Sequence, residues 1–278
     1  MGPILSSAAV LGGVGLTFGV LIALATKTMK VWEDPRIDDV EGMLPGSNCG
    51  ACGEAGCRAF AESVIMGQAT PAQCTVMGEA DREDVADYLG VDAGAADKRV
   101  ARLLCAGGSD VALQRADYYG IESCFAAVTV GGGGKACGWG CVGLGDCAVA
   151  CDFEAIVMNE VGLPVVLPAE CTACGDCVDA CPLDLFTILP MDAHLIVQCR
   201  NLLEGDAAED VCAVACTACG RCAVDAPAGL IEMQEGLAVV DYSKIELENK
   251  DAIARCPTGA IAWVEGSQFR EPKVAGSV

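Results

Sequence analysis

The sequence predicts an α+β protein with a single N-terminal transmembrane helix, a small helical domain and two tandem βαβ-type units. Three observations predict it: an uncharged apolar stretch at the start, cysteines grouped at short fixed spacings, and a strand–turn–strand pattern that occurs twice.

Residues 1–26 carry no charged side chain, and 4–25 are apolar or small. That length crosses the hydrocarbon core of a bilayer once as a helix. Lys27 and Lys30 follow at once, while the short N-terminal end has no Lys or Arg. The positive-inside tendency then places the large C-terminal part in the cytoplasm, single-pass in the inner membrane and in contact with lipid. Ala23-Leu24-Ala25 resembles a cleavage site, but Met1-Gly2-Pro3 lacks the basic start of a secretory signal, so an anchor is expected. Gly15 and Gly19, with Gly12 and Gly13 nearby, would let this helix approach others closely.

Twenty cysteines in 278 residues then need an explanation. Disulfide frameworks suit small secreted domains, which this chain does not resemble. Zinc modules often recruit histidine, and His194 is the only one, more readily structural than catalytic. The formal charge of −22, from 39 acids against 17 bases, argues against nucleic acid as a partner. It reads as a solvated acidic surface, with a high-salt cytoplasm as the other reading.

The first cysteine group is Cys49-Gly50-Ala51-Cys52-Gly53-Glu54-Ala55-Gly56-Cys57, closed by Cys74 beyond a helical run at 58–66. Two residues between Cys49 and Cys52 let one loop present two sulfurs to one centre, and the glycines let the backbone wrap it. The strongest signal is Cys171-x₂-Cys174-x₂-Cys177-x₃-Cys181-Pro182. This spacing is the bacterial ferredoxin run, whose fourth cysteine ligates a second 4Fe–4S cluster. A looser upstream motif, Cys137, Cys141, Cys147 and Cys151, supplies the partner, with Asp152 where proline is usual. Crossing predicts one cluster on Cys137, Cys141, Cys147 and Cys181, and another on Cys151, Cys171, Cys174 and Cys177.

The unit then recurs. Gly162-Leu163-Pro164-Val165-Val166 returns as Gly236-Leu237-Ala238-Val239-Val240, and Ile156 and Met158 match Ile231 and Met233. Cys216, Cys219, Cys222 and Cys256-Pro257 survive, given a one-residue insertion before Cys256. Ala226, Ile245, Glu248 and Asp251 replace the other four cysteines, which by the crossing rule are the whole ligand set of one cluster. The second unit is thus expected to hold a single cluster, for four in all. Cys105, Cys124, Cys199 and Cys212 remain. They make either a fifth cluster or buried free thiols, which behave as small apolar groups.

The expected organisation is an anchor (1–30), a four-cysteine 4Fe–4S domain (31–98), a connecting αβ segment (99–128), a two-cluster ferredoxin-like domain (129–190), a degenerate ferredoxin-like domain (191–265) and a mobile tail (266–278). In the connector, 99–104 reads as a strand and 110–119 as a helix ended by Gly120. The glycines at 131–134 lack the strand and helix context of a nucleotide site and are assigned no phosphate-binding role.

In its order of membrane helix, Cys-Gly-x-Cys-Gly-x-x-Gly-Cys domain and ferredoxin repeats, and in Asn48 to Cys57 and Gly143-Leu144-Gly145-Asp146-Cys147, the chain resembles the B subunits of Rnf ion-translocating ferredoxin:NAD oxidoreductase complexes. The likeness covers all but the last dozen residues and is greatest to the long, cluster-rich members. It implies an electron-transfer subunit of an oxidoreductase and translocase, exchanging electrons with ferredoxin beside other membrane and peripheral subunits. It implies flavin and nicotinamide on partner subunits rather than on this chain. A polyferredoxin serving another membrane oxidoreductase, such as a hydrogenase, is the alternative, and a structural zinc scaffold a third. No Ser/His/Asp or Cys/His catalytic set is expected. Lys98, Arg99 and Arg102 form the clearest basic group for an acidic donor to meet.

Overall fold

The computed structural model describes residues 2–28, 33–95 and 98–272, with side chains of the first helix described over 10–25. That helix, α1 (Gly2–Thr28), forms where the apolar stretch predicts one. Its expected role is corrected: among the described residues, no helix is long and apolar enough to cross a membrane. The described side chains at 10–25 fall short of the ~20 apolar residues that a crossing needs. Those at 4–9, and those of Lys27 and Lys30, lie outside them. The single-pass topology and the orientation drawn from it go with the transmembrane assignment.

The helical domain comprises α2 (Arg36–Met43), α3 (Cys57–Ile65) and α4 (Glu79–Leu89). They close on a core of Val40, Phe60, Val64 and Val85. Glu79 and Asp81 in the first turn suit the positive end of α4, and Gly90 ends it in a left-handed conformation.

The first repeat unit runs β1 (Arg99–Leu103), α5 (Cys124–Thr129), α6 (Asp146–Val149), β2 (Ile156–Met158), β3 (Pro164–Val166), α7 (Asp176–Asp179) and β4 (Phe186–Pro190). The second runs β5 (Leu195–Val197), α8 (Asp206–Glu209), α9 (Arg221–Asp225), β6 (Ile231–Gln234), β7 (Leu237–Val240), α10 (Asp251–Ala254) and β8 (Ile261–Trp263). In each, the outer strands pair antiparallel and the inner strands form a hairpin: β1 with β4 and β2 with β3, then β5 with β8 and β6 with β7. Ala101 faces Ile188 and Leu103 faces Phe186; Leu195 faces Trp263 and Val197 faces Ile261. The strand expected in the connecting segment is therefore the outer strand of the first unit.

The helix expected over 110–119 does not form. Its backbone is taken instead by partners on both sides: Leu113 N–H donates to Val211 O and Arg115 N–H to Gly134 O, at 3.0 and 2.8 Å. Tertiary pairing overrides local helix preference here. The segment stitches the second unit, through Ala112 opposite Cys212, to the first, through Gln114 opposite Lys135.

The start of the tail is docked. Gln268 donates to Leu103 O at 2.6 Å and accepts from Leu103 N–H at 2.9 Å, capping the free edge of β1. Residues 273–278 lie outside the described ones. Arg102 is 1 % exposed and donates from Nη1 to Gly266 O. The basic group expected at 98–102 is thus reduced to Lys98 and Arg99 at the surface.

Candidate functional site

In the helical domain, Cys52, Cys57 and Cys74 lie on one hydrophobic cluster. Burial pushes the Cys74 thiol up, with Cys52 and Cys49 close enough to add to the rise. Asn48 builds the loop: its Oδ1 accepts from Cys57 N–H at 2.8 Å. A Cβ on Gly56 would sit 2.8 Å from that same oxygen, so a larger residue there would push the Asn48 side chain off this bond.

The other sixteen cysteines divide among four cavities, four to each. Cys151, Cys171, Cys174 and Cys177 line one. Cys124, Cys141, Cys147 and Cys181 line a second. Cys105, Cys137, Cys199 and Cys212 line a third, between the two units. Cys216, Cys219, Cys222 and Cys256 line a fourth. The partition differs from the expected one in a single exchange: Cys124, not Cys137, joins Cys141, Cys147 and Cys181. Cys137 joins the junction set instead.

Local sequence shapes each lining. The run Cys-Thr-Ala-Cys-Gly occurs at 171–175 and 216–220, and in both its alanine is held at φ 58° before a positive-φ glycine. That turn points two sulfurs inward and starts α7 or α9, whose first turn brings Cys177 or Cys222. Ala101 and Ile188 floor the first cavity, and Leu103 and Phe186 the second. The pair β1–β4 thus underlies both, and Val197 with Ile261 floors the equivalent cavity of the second unit. The junction set has a repeat origin of its own. Cys105 stands two residues past the end of β1 and Cys199 two past the end of β5. An alignment of the repeats extended upstream would pair these two, but spacing carries no sign that Cys137 reaches them.

Backbone bonds join three of the sets. Cys141 N–H donates to Cys105 Sγ at 3.3 Å, and Cys216 N–H donates to Cys199 Sγ at 3.2 Å. The junction set therefore touches the first unit through one N–H···S bond and the second through another. Asn201 N–H adds a second donor to Cys199, and Leu185 N–H donates to Cys181 Sγ. Such bonds stabilise negative charge on the sulfurs. Burial works the other way, pushing Cys141 and Cys177 up to about 12 and Cys199 and Cys222 to about 11. Cys256 is the exception: burial raises it, but N–H groups of Ile261, Thr258 and Ala260 hold it below the ordinary value.

The donor sets suit a body larger than one ion. Zinc needs its sulfurs about 2.3 Å from a single centre. Among the described residues, no group of three or more His, Cys, Asp or Glu side chains could hold a single metal ion. Four cysteines lining each cavity match the four-thiolate binding of a 4Fe–4S cluster.

At the positions of the second unit where the repeat would place four more cysteines, other side chains stand. Leu195, fully buried, stands opposite Trp263 in place of Ala101 and Ile188. Ala226 and Tyr242 pack against the core that holds Leu195 and Val197, and Ile245 against the separate core of Leu189, Ala193, Ile196 and Val264. Glu248 Oε2 accepts from His194 N–H at 2.8 Å and Leu195 N–H at 3.2 Å. The His194 ring bonds Val264 O through Nδ1 and stacks on Trp263, a structural role.

Two family models match the chain: "Putative Fe-S cluster" over residues 44–76 and "4Fe-4S dicluster domain" over 140–185. The B subunit of the Na(+)-translocating ferredoxin:NAD(+) oxidoreductase complex of Acetobacterium woodii is 40 % identical, over 93 % of this chain and 78 % of its own length. The B subunit of the ion-translocating oxidoreductase complex of Methanosarcina acetivorans is 38 % identical, over 93 % and 97 %. The B subunit of the proton-translocating ferredoxin:NAD(+) oxidoreductase complex of Clostridium ljungdahlii is 37 % identical, over 93 % and 92 %. With its cysteine-lined cavities and these relatives, the chain belongs to the B-subunit family of Rnf-type ion-translocating oxidoreductase complexes.

Proposed function

We propose that this chain is the electron-transfer subunit of an Rnf-type complex and holds five 4Fe–4S clusters, one on each set of four cysteines. Family membership supports the electron-transfer role and other subunits of the complex as partners. The observation that carries the five-cluster reading is the division of sixteen cysteines among four cavities with four in each. Cys49, Cys52, Cys57 and Cys74 hold the remaining one.

Each bound cluster takes up or releases one electron, at a potential set by its ligands, hydrogen bonds and exposure. The residues do the rest. Cys141 N–H and Cys216 N–H tie the junction set to its neighbours, so the two units form one continuous conductor despite the missing site. Cys219 is exposed, which makes the second unit's set a natural point of exchange with a partner. Two of the relatives belong to ferredoxin:NAD(+) oxidoreductase complexes, which favours ferredoxin as the exchange partner. Ion translocation needs a membrane to act across, so the complex that takes up this chain is membrane-associated.

Mixing reduced ferredoxin with the oxidised, anaerobically prepared full chain tests the reading. Ferredoxin should be reoxidised while electron paramagnetic resonance signals of reduced 4Fe–4S clusters appear in the chain. Ferredoxin that stays reduced, beside a chain whose clusters dithionite can reduce, would contradict it.

A further inference from the structure

The glycine run at 131–134 shapes a site for one lysine. All four glycines have positive φ, and a Cβ on Gly134 would come 1.9 Å from Ala116 O. Only glycine lets the loop press against the 111–116 segment, where Arg115 N–H reaches Gly134 O. The next residue, Lys135, is thereby turned inward. Its Nζ donates to Gly107 O and to Cys141 O, both at 2.5 Å. Its stem is packed, since a Cβ on Gly140 would stand 3.2 Å from Lys135 Cδ. Lys135 lines the junction cavity beside Cys105 and Cys137, and its ammonium rests on the carbonyl of Cys141, which belongs to the adjoining set.

The ammonium lies where the N–H···S bond from Cys141 to Cys105 joins these two sets. We propose that Lys135 is a built-in cation that raises the reduction potential of the two clusters it adjoins: that on Cys105, Cys137, Cys199 and Cys212, and that on Cys124, Cys141, Cys147 and Cys181. The proposal rests on the cluster reading above. Taking up one electron makes a cluster one unit more negative, with no bond made and no proton moved. A fixed positive charge in a partly buried site favours that reduced form. Lys135 is a positioning residue, not a ligand, and it makes the middle of the conductor easier to reduce than it would otherwise be.

The test is a dithionite titration of the full-length holoprotein, followed by electron paramagnetic resonance, with iron counted on the same samples. Lys135→Met keeps the stem and removes the charge; Lys135→Gln keeps a donor and removes the charge; Lys135→Arg keeps the charge. The expected result is full iron in all three, two midpoints moved to more negative potential in the Met and Gln variants, and parental midpoints in Arg. Full iron with unmoved midpoints in the Met and Gln variants overturns the role of Lys135 alone. Were Lys135→Met to lose iron through misfolding, Lys135→Gln decides by the same criterion. A parent protein with about 16 irons instead of about 20 overturns the five-cluster reading, and with it the paired shift.

Discussion

The two repeat units share one plan, an outer strand pair beneath an inner hairpin, yet the first contains two cysteine-lined cavities and the second one. The difference lies at matched positions. Leu103 and Phe186 floor a cavity in the first unit as Val197 and Ile261 do in the second. One step along the strands, Ala101 and Ile188 floor another cavity, whereas Leu195 and Trp263 stand at the equivalent place. Ala101 leaves room at this place in the first unit, and the bulkier Leu195 stands there in the second. The same backbone can thus be held from within by thiolates on a cluster or by apolar packing, and metal binding and core burial act as alternatives.

Swapping these floors should break the comparison, and the largest effect is expected in the first unit. Ala101→Leu adds bulk to the floor of the cavity lined by Cys171 and Cys177. It should lower bound iron by about four per chain, from about 20 to about 16, by iron and acid-labile sulfide analysis. Leu195→Ala should do the converse in the second unit. It opens a fully buried site and should cost about 2–5 kcal/mol in denaturant unfolding, with bound iron unchanged. Iron loss in this variant would show that Leu195 supports a cluster rather than replacing one. A smaller effect is expected at Glu248, which stands where a cysteine is missing and holds two backbone N–H groups, those of His194 and Leu195. Glu248→Ala leaves those donors without their partner and should cost about 1–3 kcal/mol, again with full iron.

Much of the comparison was legible in the sequence because ligand spacing and strand repeats are local. Cys171, Cys174, Cys177 and Cys181 announce themselves by spacing, and Ala226, Ile245, Glu248 and Asp251 stand where the repeat would place four more cysteines. What was not legible depends on contacts between distant segments. Residues 110–119 favour a helix in isolation, but Leu113 N–H and Arg115 N–H are taken by Val211 O and Gly134 O instead. Cys124 and Cys137 flank the glycine run, and only the turn of that run decides which of them faces Cys141 and which faces Cys105. Arg102 reads as a surface cation beside Lys98 and Arg99, but it is buried and bonds Gly266 O of the docked tail. The N-terminal stretch forms its helix, yet the membrane role read from its composition did not hold.

The grouping of the cysteines is the central claim, and iron content in paired variants tests it most directly. Two cysteines removed from one set cost one cluster, whereas two removed from different sets cost two. Cys105→Ala with Cys137→Ala should retain about 16 irons per chain, and Cys105→Ala with Cys124→Ala about 12, against about 20 in the parent. The opposite order, about 12 for the first pair and about 16 for the second, would contradict the account and return Cys124 to the junction set.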